Sequence, residues 1–374
     1  MSMRLVVLSR LTQLEEWVDP YKSLLTIGTS PRCRLFLSPE WLITWWRHCG
    51  GGQPLCLLVV EAQRLVAAAP LYVRSDPALW GAKVVRLIGS GPSDYGDFLM
   101  DPEKNGALSL IWQWLSEHRH LWDLILLDEL PDDSNVVRSL PTLAAFPQWS
   151  YRLCEGEKCR WVPLGPNGTE PSASSWRQRI TPSLSKQLAR RQRQLTRLFR
   201  VRHDMIGATE DVPCAMRVLF ALHRLRWAQR KQTGVFVSPR LRSFLTEFCQ
   251  KAVTAGWLRL HLLYLNEVAA AVYLAFHDRD WSGFYTCGFH PAFARYSIGK
   301  VLLAFVLDQA EQEGASLFDF MRGDETYKGE FNAQVSRNYR LEIWQKGRSF
   351  SEAAAKMSHL LWHIRTKGKV YFQR

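Results

Sequence analysis

Apolar residues recur along this chain in two periods, one of about two residues and one of about 3.6, and the same succession is written twice. PLCLLVVEAQRLVAAAPLYV (Pro54–Val73) and WLRLHLLYLNEVAAAVYLAF (Trp257–Phe276) each predict a β-hairpin whose second strand begins Val-Ala-Ala-Ala. A helix precedes each hairpin. Phe36-Leu37-Ser38-Pro39 opens the first and Phe236-Val237-Ser238-Pro239 the second, about 200 residues on, with serine at the N-cap and proline at the first helical position. A further helix and strand follow in each half: Leu108–Glu117 with Leu124–Asp128, and Val301–Glu313 with Ser316–Met321. The shared order of helix, hairpin, strand, helix, strand predicts two copies of one α/β domain, with mixed sheets flanked by helices. The expected division is a first domain over 1–162 and a Pro- and Ser-rich linker over 163–182. A second domain over 183–348 and a basic C-terminal helix over 349–374 complete it.

The second copy holds the densest chemistry, between Phe284 and Phe331. Its aromatic-rich strand Phe284–Phe289 leads to Ser297-Ile298-Gly299-Lys300 at the start of the helix that stops at Gly314. Backbone amides without intrahelical partners, the helix dipole and a cation meet there, which suits a phosphate group. The next strand delivers Arg322, Asp324, Glu325, Tyr327 and Lys328 beyond its C-terminal end. In the first copy the equivalent stretch, Gly89–Leu108, carries Asp94, Tyr95 and Asp97 instead. Loss of a donor site there would leave the first domain shaping an acceptor cleft between the two.

Composition narrows the class. With 374 residues, 47% of them hydrophobic and 22% charged, the chain is globular and long enough for more than one core. No apolar run reaches the roughly 20 residues of a membrane-spanning helix, and Met1–Val18 lacks the layout of a signal peptide. A cytoplasmic protein is expected. The eight cysteines are scattered without metal-ligand spacing, so free thiols and no metal are expected. A net charge of +13 calls for an acidic partner. Nine basic residues and no acidic one fall between Arg177 and Arg202, on a helix capped by Thr181-Pro182 with Leu184, Leu188, Leu195 and Leu198 on one stripe. That face suits phosphates of a donor or acceptor, an anionic membrane, nucleic acid, or plain solvent. Ser349–Lys367 reads as another helix, packed on the second domain or lying at a membrane surface.

Transfer to an amine at such a site needs a base, and His223, Asp324 and Glu325 are the candidates. His223 shares a helix face with Arg226 and Trp227. The alternative for it is a histidine packed under Trp227. For Asp324 and Glu325 the alternative is an ion-pair set with Arg322 and Lys328 that fixes the loop. Tyr285 and Tyr327 are candidate hydrogen-bond donors at the site, and Asp94, Tyr95 and Asp97 suit an amine or sugar acceptor.

His223-Arg224-Leu225-Arg226-Trp227, Phe236, Tyr296–Lys300 and the block DFMRGDETYK (Asp319–Lys328) together resemble the acetyltransferase domain of the CelD/BcsL (BioF2-like) type. That type is a branch of the GNAT superfamily related to the Fem peptidyltransferases. Phe36–Trp41, Pro70-Leu71 and Gly91–Tyr95 extend the resemblance into the first half. It implies tandem GNAT-like (acyl-CoA N-acyltransferase) domains. Acyl-CoA (acetyl-CoA) is then the co-substrate, with no permanently bound cofactor. Its acyl group would pass to an amine or hydroxyl of a polysaccharide precursor, amino sugar or lipid intermediate. Ser297, Ile298, Gly299 and Lys300 would cradle the pyrophosphate and Tyr285 would face the donor. Asp94, Tyr95, Arg226, Trp227, Arg322 and Lys328 would contact the acceptor. The phosphate loop departs from the usual GNAT pattern by keeping one small residue, Gly299, where two are usual. The Fem relatives take their donor from aminoacyl-tRNA, the one nucleic acid in view. A catalytically inactive scaffold in an envelope or polysaccharide complex is the third reading.

Overall fold

The computed structural model describes residues 2–104, 106–165, 175–229 and 231–367. The first half runs β1 (Arg4–Leu8), α1 (Val18–Ile27), α2 (Pro31–Leu37), α3 (Pro39–Cys49), β2 (Gln53–Glu61), β3 (Arg64–Asp76), β4 (Ala82–Leu87), β5 (Leu99–Met100), α4 (Ala107–Glu117), β6 (Leu124–Pro131), α5 (Asn135–Arg138) and β7 (Trp149–Pro163). The second half runs α6 (Trp176–Arg179), α7 (Pro182–Leu198), β8 (Val201–Ile206), α8 (Val212–Gln229), α9 (Pro239–Thr254), β9 (Leu258–Leu265), β10 (Val268–Asp278), β11 (Trp281–Phe289), α10 (Ile298–Gln312), β12 (Leu317–Arg322), α11 (Thr326–Gly329), β13 (Gln334–Gln345) and α12 (Ser349–Lys367). The repeated start signals are real caps. Ser38 Oγ accepts from Trp41 N at 3.2 Å and Ser238 Oγ from Leu241 N at 3.3 Å.

The chain forms two compact units, one of residues up to Glu157 together with those from Arg337 onward, the other Lys158–Ser336. In the first, the strands lie in the order β1-β2-β3-β4-β6-β13; in the second, β8-β9-β10-β11-β12-β7. The two orders correspond strand for strand. Neighbours pair antiparallel except β4 with β6 and β11 with β12, which are parallel and are linked in each unit through one helix. The last strand of each sheet comes from the other half of the sequence: β13 joins β6 from Asn338 to Trp344, and β7 joins β12 from Cys159 to Pro163. Each half is therefore completed by a strand exchange, and both unit boundaries fall inside strands. Residues 166–174 of the expected linker lie outside the described residues.

In the second unit α10 packs Leu302, Leu303, Val306 and Leu307 on β9–β11, and α7 adds Leu184, Leu188 and Leu195 to the same core. Leu198, expected on that stripe, is 45% exposed because the helix ends there and Phe199 turns inward beside Tyr296. The helix α12 packs on the first unit, not the second. Ala354 and Ala355 lie against Leu79, Ala82, Val84, Leu124 and Leu126, and Ser351 Oγ donates to the carbonyl of Asp123. Small residues on its inner face let the helix approach the sheet closely. No helix among the described residues is long and apolar enough to cross a membrane.

Candidate functional site

In the second unit β11 and β12 pair only over Trp281–Gly283 and Leu317–Asp319, then part. Beyond the split the start of α10, the end of β11, α8 and α11 line a cavity of about 260 Å³. Ser297, in the left-handed region at φ +55, turns the chain into α10. Its carbonyl accepts from Lys300 N and Val301 N, which leaves the amides of Ile298 and Gly299 without an intrahelical acceptor at the cavity wall. Lys300 also lines the cavity, with its Nζ 2.6 Å from Glu330 Oε2.

The other cation is Arg226. It is 8% exposed, donates to Cys287 Sγ at 3.1 Å, lies over the Phe289 ring, and its Nε has no partner among the described residues. Cys287, Tyr273 and Tyr327 share the cavity. Burial raises the Cys287 thiol, and burial pushes both phenols well above their ordinary range, so all three keep their protons near neutrality. Sequence reasoning missed Cys287 and Tyr273. A β-bulge hides them: Leu274 faces Thr286 but Ala275 faces Phe284, so Tyr285 is skipped in the register. Phe284 and Cys287 thereby join the α10 face, and Tyr285 turns to the other, beside Phe276. Tyr285 is not among the cavity residues, which corrects its expected place at the donor.

The charged block is a structural knot. Lys328 is buried, with Nζ donating to the carbonyls of Phe320, Arg322 and Gly323 at 3.1, 2.9 and 3.1 Å and pairing with Glu325 Oε2 at 2.7 Å. No ammonium hydrogen is left for a substrate. Asp324 is clamped by Lys158 and Arg160; partial burial pushes its carboxyl up, but these hydrogen bonds outweigh it and hold the pKa below the usual value. Arg322 is half-buried at the strand end. Glu325 stays near the cavity, close enough to Tyr327 and Arg226 for its charge to act on both.

His223 is 1% exposed and accepts from Trp227 Nε1 at 2.7 Å. Burial first, and Arg226 second, depress it to about 3, so it is neutral wherever the protein works. Burial likewise holds His261 at about 3. An unfolded imidazole titrates near 6.5, so between about pH 6.5 and 3 the unfolded chain binds more protons and stability falls as pH falls. The melting temperature is expected to drop from pH 7 to pH 4, and less steeply in His223→Gln. Parallel slopes for the two proteins would contradict this account.

The first unit has closed its equivalent opening. Asp97 Oδ atoms accept from the amides of Phe98, Asn135 and Val136, and Asn135 Nδ2 donates to the carbonyls of Gly28 and Phe98. Asp94 and Tyr95 are buried in this loop, at 2% and 0% exposure, with Asn338 Nδ2 on the Asp94 carbonyl and Tyr95 edge-on to Phe36. That burial removes them from an acceptor's reach. At α4 the first amide, Ala107 N, is already bonded to the Lys104 carbonyl. One Cys/Glu/His grouping occurs among the described residues, Cys154, Glu342 and His359, but the Glu342 oxygens already take Arg340 and Arg152.

With this geometry in place, comparison with known proteins bears on the second half. Residues 182–329 match the acetyltransferase (GNAT) domain family. No curated protein matches the chain. Among solved structures, FemX is similar at 10% identity over 95% of this chain and 100% of that chain, with a TM-score of 0.65. The C-terminal domain of a protein described as a lysylphosphatidylglycerol synthetase, from Agrobacterium fabrum, is similar at 12% identity over 92% and 97%, TM-score 0.56. A tandem GNAT protein from the clavulanic acid biosynthesis pathway matches at 12% identity over 92% and 99%, TM-score 0.48. At such identities the likeness is one of fold. The chain folds as two α/β units of matching strand order, and the GNAT match of the second supports a transferase.

Proposed function

We propose that the second unit binds an acyl-CoA, in the simplest case acetyl-CoA, and transfers its acyl group to an amine or hydroxyl. The acceptor class is a polysaccharide precursor, amino sugar or lipid intermediate, in keeping with the resemblance to CelD/BcsL proteins. The observation that carries the reading is the convergence, at one cavity, of the open amides of Ile298 and Gly299 with the buried guanidinium of Arg226. Amides at a helix start hold diphosphate oxygens, and Arg226 supplies a fixed positive field. In the reaction the acceptor lone pair adds to the thioester carbonyl carbon, the C–S bond breaks, and the sulfur leaves as thiolate. Tyr327, which keeps its proton, donates a hydrogen bond to that sulfur. His223 is neutral but engaged by Trp227 and Asp324 is clamped, which leaves Glu325 to take the acceptor's proton.

A second reading, a Fem-like transferase using aminoacyl-tRNA, is favoured by one specific feature. Lys186, Arg190, Arg193 and Arg197 are exposed along a single line of α7 and have no acidic partner among the described residues. Such a stripe suits a phosphate backbone. Purified protein offered acetyl-CoA or charged tRNA, with candidate acceptors, separates the two by the mass of the product. A gain of one acetyl group from acetyl-CoA is the expected result; transfer from the tRNA alone would overturn the first reading.

A further inference from the structure

A separate cavity of about 480 Å³ lies on the outer face of α8, covered by the segment 233–242. Its volume falls in the range of small-molecule clefts, about 300–1,000 Å³. Arg217, Phe220 and Arg224 reach it from one face of the helix, being three and four residues apart. Phe236 closes the floor, its ring 4.9 Å from Phe220 and 4.6 Å from the His223 imidazole. Gly234 makes this closure possible. At φ +66 it passes so near that a Cβ would meet His223 Cε1 at 2.7 Å and Trp227 Cδ1 at 2.9 Å.

The polar groups here are unmatched. Arg242 spends its Nη1 on the carbonyls of Phe236 and Val237 and so seals the segment. Arg217 and Arg224 have no hydrogen-bond or ion-pair partner among the described residues. Since Trp227 Nε1–H donates to His223 Nε2, the imidazole proton must sit on Nδ1. That N–H has no acceptor among the described residues, although the side chain is 1% exposed and lines the cavity. Because His223 lines the cavity, an oxygen supplied from outside can accept from its Nδ1–H. Two free guanidinia favour an anionic oxygen over a neutral one.

We propose that this cavity binds a small molecule with a flat apolar body and an anionic head, carboxylate or phosphate. The body lies on Phe220 and Phe236, and the head takes Arg217, Arg224 and the Nδ1–H of His223. The site shares no lining residue with the donor cavity, and its occupant is independent of the transfer reading above. Binding itself is measurable without any acyl donor, so its failure and the failure of that reading are distinguishable.

The test is calorimetric titration of the full chain, free of CoA, with benzoate, phenyl phosphate and benzyl alcohol. At least one anion should bind ten-fold or more tightly than the alcohol, and whichever anion is preferred identifies the head group. In the double variant Arg217→Gln, Arg224→Gln the preferred anion should bind 10- to 100-fold more weakly while the melting temperature is unchanged, both side chains being exposed. The His223 Nδ1 resonance should shift on titration of the wild type. Equal binding of all three probes, binding of none, or affinity indifferent to the double variant would overturn the proposal.

Discussion

Gly299→Val should abolish stabilisation by CoA while leaving the fold intact. No positive φ is recorded at Gly299, and an added Cβ would meet only Phe289 Cδ1, at an ordinary 3.8 Å. Neither the backbone turn nor close packing of the chain on itself demands glycine there. What a side chain would fill is the cavity wall beside the open amides of Ile298 and Gly299. Helix propensity mildly favours valine over glycine, by a few tenths of a kcal/mol. In the wild type, CoA at about 100 times its dissociation constant should add about 2.7 kcal/mol. For a unit of this size that is a rise of roughly 5–10 °C in melting temperature. Gly299→Val should lose nearly all of that rise, with Gly299→Ala intermediate, and both apo proteins should melt within about 2 °C of the wild type. A full CoA shift in the valine variant would remove the donor site from α10. No shift in the wild type would instead favour the inactive scaffold, to which the single small residue of the phosphate loop already inclines.

The elements of this fold were legible because their signals are local. Ser38-Pro39 and Ser238-Pro239 cap helices through their own side chains, and Val-Ala-Ala-Ala opens the second strand of both hairpins. The phosphate-facing start of α10 was legible for the same reason. Pairing between distant segments leaves no such trace. β13 meets β6 some 200 residues away in sequence, so the strand exchange was invisible, and with it the attachment of α12 to the first unit. The bulge at Tyr285 shifted the faces of β11 by one residue, which is all it takes to part Tyr285 from Cys287, two residues that a regular strand would hold on one face. At Asp94 and Tyr95 the residue types suggested a site, but they serve a loop folded inward around Asp97. Charge alone does not distinguish a residue held for a ligand from one held for the backbone.

Lys328 is the sharpest case of that ambiguity, and Lys328→Met should melt the protein early. Methionine keeps most of the apolar stem but offers nothing to the carbonyls of Phe320, Arg322 and Gly323, and it strands Glu325 beside a buried, empty position. Breaking a buried pair by removing one partner costs about 3–5 kcal/mol, because the remaining charge is uncompensated. For this unit that is roughly 6–20 °C in melting temperature. The backbone nearby magnifies the effect: Met321 sits at φ +54, a costly conformation for its type, held by Asp319 Oδ1 accepting from Met321 N at 2.7 Å and by the lysine staple on either side. Adding Glu325→Gln to Lys328→Met removes the stranded charge and should recover part of the loss, so the two changes should be non-additive. Strict additivity would mean that the pair carries no coupling. An unchanged melting temperature with a raised KM for the acceptor would mean that Lys328 faces substrate after all.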